Sequence, residues 1–219
     1  MRVLAFLELR VLGVLVEKQH TVADSYPLSL NALVAGCNQK TARDPVIEAR
    51  DAEVLGAIDE LKSLGLVIES SGSRVARYEH NLGRVLRVPG QSVAILATLA
   101  LRGPQTAAEL RANAERLHRF ADISAVEGFL DELAARSAEQ GGPLVVKLAR
   151  AVGSREARWA QLLGGPVDTA APETAAAGDA IAAGEIAALK ANQQRLQAEV
   201  IHLRAQLQRL ALELGVDLS

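Results

Sequence analysis

The sequence predicts a mainly α-helical protein with small β-hairpins, an α+β fold built from two copies of one unit. Two observations predict this fold. A succession of three helices and a hairpin occurs twice, and a seven-residue apolar repeat follows a stretch rich in Ala, Gly and Pro. We therefore divide the chain into a first domain at residues 1–88, a second domain at 89–163, a flexible linker at 164–184 and a terminal helix at 185–215.

The two hairpins are the clearest internal repeat. Residues 72–78 read GSRVARY and residues 153–159 read GSREARW, so that five of the seven positions are identical. An apolar, β-branched run precedes each copy, and the glycine between two such strands is typical of a hairpin turn. Alternation along the strand places Tyr78 and Arg77 on opposite faces. We expect Tyr78 and its counterpart Trp159 to close the two cores.

Three predicted helices precede each hairpin. The third helices share apolar residues at i, i+4 and i+7: Val54, Ile58 and Leu61 in the first copy, and Val126, Leu130 and Leu133 in the second. Ser29 and Thr106 are suited to cap the second helices, and the first helices are expected around Leu9–Lys18 and Val93–Arg102. Three helices followed by a hairpin, repeated, predict two tandem winged helix-turn-helix domains.

A heptad pattern follows the linker. Its a and d positions are Ile186, Leu189, Gln193, Leu196, Val200, Leu203, Leu207, Leu210 and Leu214, of which eight are apolar. β-Branched residues at a with leucine at d favour a parallel two-stranded coiled coil, and Gln193 at an a position is suited to fix the register. We therefore expect a homodimer. The alternative is an amphipathic helix that packs back onto its own domains.

Composition limits the classes of protein. The chain has 219 residues, of which 49% are hydrophobic but only 3% aromatic, so Leu, Val, Ala and Ile must build the cores. A net charge of −2 gives no overall attraction to nucleic acid or to an acidic membrane. One cysteine excludes an intrachain disulfide framework and is typical of the reducing cytoplasm. No segment is apolar over enough residues to span a bilayer, so we expect a cytoplasmic protein without a membrane partner.

Several stretches carry a family resemblance. The segments LRVLGVLVEKQ, YPLSLNALVAGCNQKTARDPV, GSRVARYEHN and LRGPQTAAELRANAERLHRF are similar to the YceH-like family of uncharacterised bacterial proteins. The resemblance covers roughly residues 8–163. It implies tandem winged-helix domains, in agreement with the repeat, and a presumed DNA-binding or regulatory role. It supplies no established activity, and the heptad lies outside its most recognisable part.

The predicted third helices are poor candidates for reading DNA. A winged helix usually inserts its third helix into the major groove, where Arg, Lys, Asn or Gln read the bases. The first copy instead carries Asp51, Glu53, Asp59 and Glu60 against Lys62, and the second carries Glu127, Asp131 and Glu132 against Arg136. Because these carboxylates would approach phosphates of like charge, we do not expect either helix to enter the groove.

Positive charge lies instead on the hairpins and on the run CNQKTARDPV, residues 37–46, between the second and third helices. The candidate contact residues for nucleic acid or a protein partner are Asn38, Gln39, Lys40, Thr41, Arg43, Arg74, Arg77, Arg155 and Arg158. Two structural alternatives remain open. The loop can be ordered by hydrogen bonds to its own backbone, and arginines are common on exposed hairpin strands.

No catalytic site is predicted. Cys37 falls on an apolar helix face, and no histidine is spaced to pair with it. The sequence contains no metal-ligand cluster, phosphate-binding glycine motif or nucleophile elbow, so we expect no enzyme activity, metal or cofactor.

Two functions follow from these observations. The first is a dimeric DNA-associated regulator that contacts the backbone of double-stranded DNA through its hairpins and the 38–44 loop. The second is a protein–protein adaptor that uses the same domains for docking without DNA, which the acidic third helices favour.

Overall fold

The computed structural model describes residues 2–70, 75–151 and 153–167, all of which belong to one compact unit. About half of these residues are helical, and the strands form two small antiparallel sheets. The predicted mixture of helices and hairpins is therefore confirmed. Among the described residues, no helix is both long enough and apolar enough to cross a bilayer.

The elements follow the predicted order. In the first half they are α1 (Phe6–Thr21), β1 (Leu28–Ser29), α2 (Leu30–Cys37), α3 (Asp51–Ser63), β2 (Val67–Ser70), β3 (Arg77–His80) and α4 (Leu82–Leu86). In the second half they are α5 (Gly90–Arg102), α6 (Ala107–Asn113), α7 (Ile123–Ala134), β4 (Val145–Lys147) and β5 (Trp159–Gln161). Short 3₁₀ helices lie at Ala23–Ser25 and Ala138–Gln140.

The predicted caps of α2 and α6 are confirmed. The Ser29 hydroxyl accepts a hydrogen bond from the Ala32 N–H (3.4 Å). At α6, the Glu109 N–H donates to the Thr106 hydroxyl (3.2 Å), and the Thr106 N–H donates to the Glu109 carboxylate (2.8 Å). Each bond satisfies a backbone donor that the first turn of a helix leaves unpaired.

The repeat extends further than the hairpins. In the first half the sheet order is β1-β3-β2, and Tyr78 on β3 pairs with Leu28 on β1. In the second half Trp159 on β5 forms an antiparallel bridge with Gln105, just before the cap of α6. Tyr78 and Trp159 are both buried, so the prediction that they close the cores is confirmed.

The two halves share one continuous apolar core. Buried side chains from Leu4 to Leu163 form a single cluster, and α1 packs along α5 more extensively than along any other described element. The approach is close, because a Cβ on Gly13 of α1 would lie 2.7 Å from Leu101 Cγ of α5. Backbone hydrogen bonds from Leu4 to Leu163 and from Asp44 to Leu101 also join the halves, each 2.8 Å long.

Several predictions concern residues that the structure does not describe. Arg74 lies outside the described residues, as do the linker from residue 168 onward and the whole predicted coiled coil, including every heptad position from Ile186 to Leu214. The dimer therefore remains a sequence-based prediction.

Candidate nucleic-acid interface

The loop between α2 and α3 is tied down by its own polar side chains. The Asn38 amide donates to the Ala49 carbonyl (2.8 Å) and accepts from the Ala49 N–H (2.7 Å). These two hydrogen bonds join residues eleven positions apart, and they use both the donor and the acceptor of the Asn38 side-chain amide. Asn38 therefore holds the loop in shape, as the structural alternative for this segment expected.

Arg43 lies inside the protein. Its side chain is 0% exposed, and its guanidinium forms a two-bond ion pair with Glu17 of α1, with the shorter bond at 2.6 Å. The same group donates to the Gly36 carbonyl (3.0 Å) and the Ala42 carbonyl (2.8 Å). Because every part of this guanidinium is engaged below the surface, Arg43 is not placed for the contact role that the sequence predicted.

The charge of Glu17 depends on this arrangement. Burial alone would raise the pKa of the Glu17 carboxyl, but the hydrogen bonds and charge of Arg43, together with the charge of Lys18, hold that pKa below its ordinary value. Lys18 Nζ lies 3.2 Å from Glu17 and also donates to Gln39 Oε1 (3.2 Å). Gln39 is thus partly committed to the same network.

A second buried arginine supports the loop from below. Arg10 of α1 is 0% exposed, and it donates to the Cys37 carbonyl (3.2 Å) and the Pro45 carbonyl (2.6 Å). Burial lowers the pKa of Arg10 and raises that of the neighbouring Cys37 thiol to about 12. Cys37 is therefore a protonated core residue, which agrees with its prediction on an apolar helix face.

Among the predicted contact residues of the loop, only those at its tip are exposed to a partner. Lys40 and Thr41 are exposed, while Asn38 and Gln39 are half-buried and hydrogen-bonded within the loop network. Of the five predicted loop contacts, the structure thus presents two on the surface, and only Lys40 carries positive charge.

The first hairpin presents Arg77 at its edge. Arg77 is exposed on β3, opposite the buried Tyr78, as alternation predicted. Its guanidinium donates to the Pro27 carbonyl (2.8 Å) and more weakly to the Ser25 carbonyl (3.4 Å). These bonds hold Arg77 against β1, so it stiffens the edge of the sheet while keeping part of its surface free.

The second hairpin forms a basic groove. An open depression of about 520 Å³ lies between this hairpin and α7, and its charged lining consists of Lys147, Arg150, Arg155, Glu127 and Glu156. Trp159 forms part of the wall and is buried, with Lys147 Nζ 5.3 Å from the centre of its ring. The three cations outnumber the two carboxylates, and the three basic side chains are exposed.

Arg158 stands beside this basic groove with a partner of its own. It pairs with Glu109 at 3.4 Å and reaches the Pro104 carbonyl at 3.5 Å. Both side chains are about half exposed, at 51% and 43%, so the pair is open to solvent and contributes little to stability. The structure thus places Arg155 and Arg158 on one hairpin, whereas Lys40 lies on the α2–α3 loop.

Lys147 is a residue of the groove that the sequence did not predict as a contact. Lys147 is the last residue of β4, where it is exposed and lines the groove. Lys147 belongs to the run PLVVKLA, which precedes the hairpin motif that begins at Gly153, so the repeated motif does not include it.

The third helices are acidic on their exposed faces, as predicted. In α3, Asp59 and Glu60 are exposed, with Glu60 paired to Arg2 at 3.0 Å and Lys62 shared between Asp59 and Glu69. In α7, Glu127, Asp131 and Glu132 are exposed. The fold and site define a mixed α and β protein, with a duplicated three-helix and hairpin unit, whose surface combines acidic helices with one basic groove.

Comparison with known proteins identifies the family. A family model described as a protein of unknown function, DUF480, matches residues 4–154. The chain is 74% identical over 221 residues to a UPF0502 protein of Methylibium petroleiphilum, covering 100% of this chain and 93% of that protein. It is also 66% identical to a UPF0502 protein of Leptothrix cholodnii, over 97% and 96% of the two chains. The chain belongs to this DUF480 family, which confirms the resemblance that its sequence motifs carry.

Proposed function

We propose that this protein is a non-enzymatic, DNA-associated regulator with two tandem winged-helix domains, which contacts the DNA backbone mainly through the basic groove of the second hairpin. The observation that carries the proposal is the grouping of Lys147, Arg150 and Arg155 around one open groove. Lysine and arginine are the side chains that neutralise phosphates, and a contact of this kind fixes a protein on DNA without reading its sequence.

The acidic third helices fit this backbone-contact mode better than groove insertion. The exposed carboxylates of α3, and Asp131 and Glu132 of α7, would repel phosphates, so the faces that carry them have to point away from the duplex. Glu127 of α7 lies in the groove itself, where the three cations outnumber it and Glu156. With the hairpin against the backbone, DNA binding needs neither third helix. Lys40 and the exposed edge of Arg77 are secondary candidates, because each is a single cation.

Fluorescence anisotropy of a labelled random-sequence duplex, titrated at several salt concentrations, tests the proposal. We expect binding that weakens with salt by a log–log slope of about −3 for each basic groove that contacts the duplex, since each groove neutralises about three phosphates. A Lys147→Gln, Arg150→Gln, Arg155→Gln variant should lose most of this slope. The matched control, Arg84→Gln, Arg116→Gln, Arg119→Gln, removes three exposed cations away from the groove and should retain it. No binding at low salt would overturn the proposal.

Dimerisation through the heptad of residues 185–215 completes the proposal, since two basic grooves on one molecule would bind a duplex more tightly than one. Sedimentation velocity of the full chain should give a dimer. Replacing Leu196 and Leu203, two d positions, with aspartate should give a monomer, because a charge in the seam cannot be desolvated. A wild-type monomer would contradict this part.

A second candidate function is a protein–protein adaptor. The observation in its favour is the exposed face of α7, where Asp131 and Glu132 form no ion pair with any described residue and Ile123 is 43% exposed. Photo-crosslinking from position 123 should then recover one stoichiometric protein, and recovery should fall in an Asp131→Lys, Glu132→Lys variant. Crosslinking that is unchanged in that variant argues against the adaptor.

A further inference from the structure

A small hollow of about 270 Å³ lies where the two repeats meet. The first repeat contributes the loop residues Ala42, Arg43 and Asp44, and the second contributes the turn after α5, one side of α6 and Arg158 of the hairpin. The Asp44 N–H donates to the Leu101 carbonyl (2.8 Å), which fixes the loop against the end of α5. The hollow is therefore built by both repeats and held rigidly by the contact between them.

Two opposite charges that face this hollow form no ion pair, although the charge of Asp44 interacts at longer range with the buried Arg10. Arg43 is satisfied by Glu17, and Arg158 is paired with Glu109. Asp44 and Arg102 both line the hollow, yet neither forms an ion pair or a side-chain hydrogen bond with any described residue. The Asp44 carboxylate and the Arg102 guanidinium line the same hollow more than 4.0 Å apart, so each charge is available to a ligand group of opposite sign.

Two residues near these charges have positive φ angles. Gly103, the residue after Arg102, has φ +73, and its missing Cβ would lie only 3.7 Å from Asp44 Oδ2. Ala42 has φ +59, a left-handed conformation that is unfavourable for a residue with a side chain. The hydrogen bond from Arg43 to the Ala42 carbonyl (2.8 Å) maintains it. Backbone conformations of this kind are concentrated at ligand-binding sites.

Neutral polar groups complete the lining. Gln105 is buried, and its amide donates to the carbonyls of Thr98 and Gly103, both at 3.3 Å. The Asn113 amide N–H donates to Gln105 Oε1 (2.7 Å), which leaves Asn113 Oδ1 as an acceptor without a partner among the described residues. The hollow thus offers the cation of Arg102, the anion of Asp44 and the free acceptor of Asn113, whose amide is held by Gln105.

We propose that this junction is a binding site for a small zwitterion of the α-amino-acid class. The ligand carboxylate would bind the Arg102 guanidinium, and its ammonium group would bind the Asp44 carboxylate and Asn113 Oδ1. The volume lies just below the range of about 300–1,000 Å³ that is usual for ligand pockets, which restricts the ligand to about the size of an amino acid. This inference goes beyond the proposed function and does not depend on DNA binding.

Binding at this position would join the repeats. A ligand held by Asp44 and Arg102 connects the α2–α3 loop of the first repeat to α5 of the second, beside Arg158 of the second hairpin. It would therefore reinforce the contact between repeats and stabilise the folded chain as a whole.

Thermal unfolding of the full chain with each standard L-α-amino acid at about 10 mM is the first test, followed by calorimetry for any that stabilise it. We expect at least one amino acid to raise the Tm in a saturable way. Asp44→Asn and Arg102→Gln should each weaken its affinity by about tenfold or more. Arg84→Gln and Asp131→Asn, which neutralise exposed charges outside the hollow, should leave the affinity unchanged.

A second test needs only the wild-type protein, so it remains valid if a variant fails to fold. The N-acetyl and the carboxamide derivatives of the active amino acid each lack one charge, and each should bind at least about tenfold more weakly. Trp159, the only tryptophan of the chain, exchanges backbone hydrogen bonds with Gln105 and provides a fluorescence signal beside the hollow.

Three outcomes would overturn the inference. One is that no amino acid stabilises the wild-type chain. Another is that both variants bind as tightly as wild type, which would put the ligand elsewhere. The third is that the N-acetyl derivative binds as well as the parent compound, which would make the junction a simple anion site.

Discussion

Several polar side chains near the start of the chain are buried and form hydrogen bonds inside the protein. Arg10 and Arg43 are buried, and both organise the backbone of the α2–α3 loop, while Glu17 supplies the compensating charge. His80 plays a similar part at the end of β3. Its Nδ1 accepts from the Leu82 N–H (3.4 Å), its Nε2 lies 2.8 Å from Gln19 Oε1, and its own N–H donates to the Tyr26 hydroxyl (2.9 Å).

Replacing Arg43 should destabilise the fold. Arg43→Met leaves the Glu17 carboxylate, which is 14% exposed, with only Lys18 as a cationic neighbour, and we expect a loss of about 3 kcal/mol in the free energy of unfolding. Urea denaturation measures this loss. The double variant Glu17→Gln, Arg43→Met should lose less than the sum of the single variants, because no buried charge then remains unpaired. Strict additivity would show that the pair does not couple.

His80 should make stability depend on pH. Burial, with a smaller effect from His20, lowers the pKa of His80 from 6.5 to about 4. Between these two pKa values the unfolded chain binds a proton at His80 that the folded chain does not bind, so the free energy of unfolding rises with pH. The stability that depends on neutral His80 is therefore fully present above pH 6.5 and is lost as the pH falls toward 4.

From this shift we expect His80 to lower the free energy of unfolding by about 2 kcal/mol when the pH falls from about 8 to about 5. Denaturant unfolding across this range measures the change. His80→Asn keeps an acceptor for the Leu82 N–H but cannot titrate, so its curve should be flatter than that of the wild type by this amount. Parallel curves for the two proteins would rule out His80 as the cause. The depressed pKa of Glu17 acts only below 4.5, in a separate pH window.

At the scale of single elements, α3 and α7 are close copies of one another. Their central stretches read VLGAIDEL at 54–61 and VEGFLDEL at 126–133. The glycine in each, Gly56 or Gly128, lies on the exposed face, and a Cβ there would meet nothing within 4 Å. Neither glycine is therefore required by packing within the described structure, although glycine weakens the interior of a helix.

Alanine at these positions should stabilise the protein. Gly56→Ala and Gly128→Ala should each raise the free energy of unfolding by about 0.5–1 kcal/mol, because the helix gains propensity without a clash. Thermal or urea unfolding tests this. Gly36→Ala in α2 is the matched contrast, since its Cβ would lie 2.5 Å from Val14 Cγ1 of α1, and it should destabilise. Destabilisation by Gly56→Ala would mean that the exposed face of α3 packs against another part of the protein or a partner in solution.

At the scale of the whole molecule, the repeats are alike in backbone and different in surface charge. Tyr78 and Trp159 occupy matching positions, and both are buried. The hairpin of the first repeat carries Glu69, which shares Lys62 with Asp59 of α3, whereas that of the second repeat carries the basic groove. The duplication has thus kept the packing and changed the surface.

Because α1 packs against α5, the first repeat should not fold alone. A fragment of residues 1–88 would expose the apolar side of α1, and we expect it to lack cooperative unfolding by circular dichroism. A fragment of residues 1–167 keeps the shared core and should unfold in one transition. Independent folding of residues 1–88 would show that the two repeats are separable domains.

The sequence by itself determined the order of elements and the repeat. Helix periodicity, the Ser29 and Thr106 caps, the hairpin motif and the buried aromatics depend on neighbours within a few residues, and the structure agrees with each of them. The sequence also predicted the acidic exposed faces of α3 and α7, because the helical periodicity that places the apolar residues in the core places the carboxylates on the surface.

Only the tertiary structure decided which polar residues face solvent. Arg43 and Lys40 lie three positions apart in one polar loop, yet one is buried against Glu17, twenty-six positions earlier, and the other is exposed. Lys147 and Arg155 line one groove because β4 pairs with β5, and Asp44 and Arg102 line one hollow because the α2–α3 loop packs against the end of α5. These are contacts between residues distant in the chain, where burial and charge pairing depend on the packed partner and not on the local pattern.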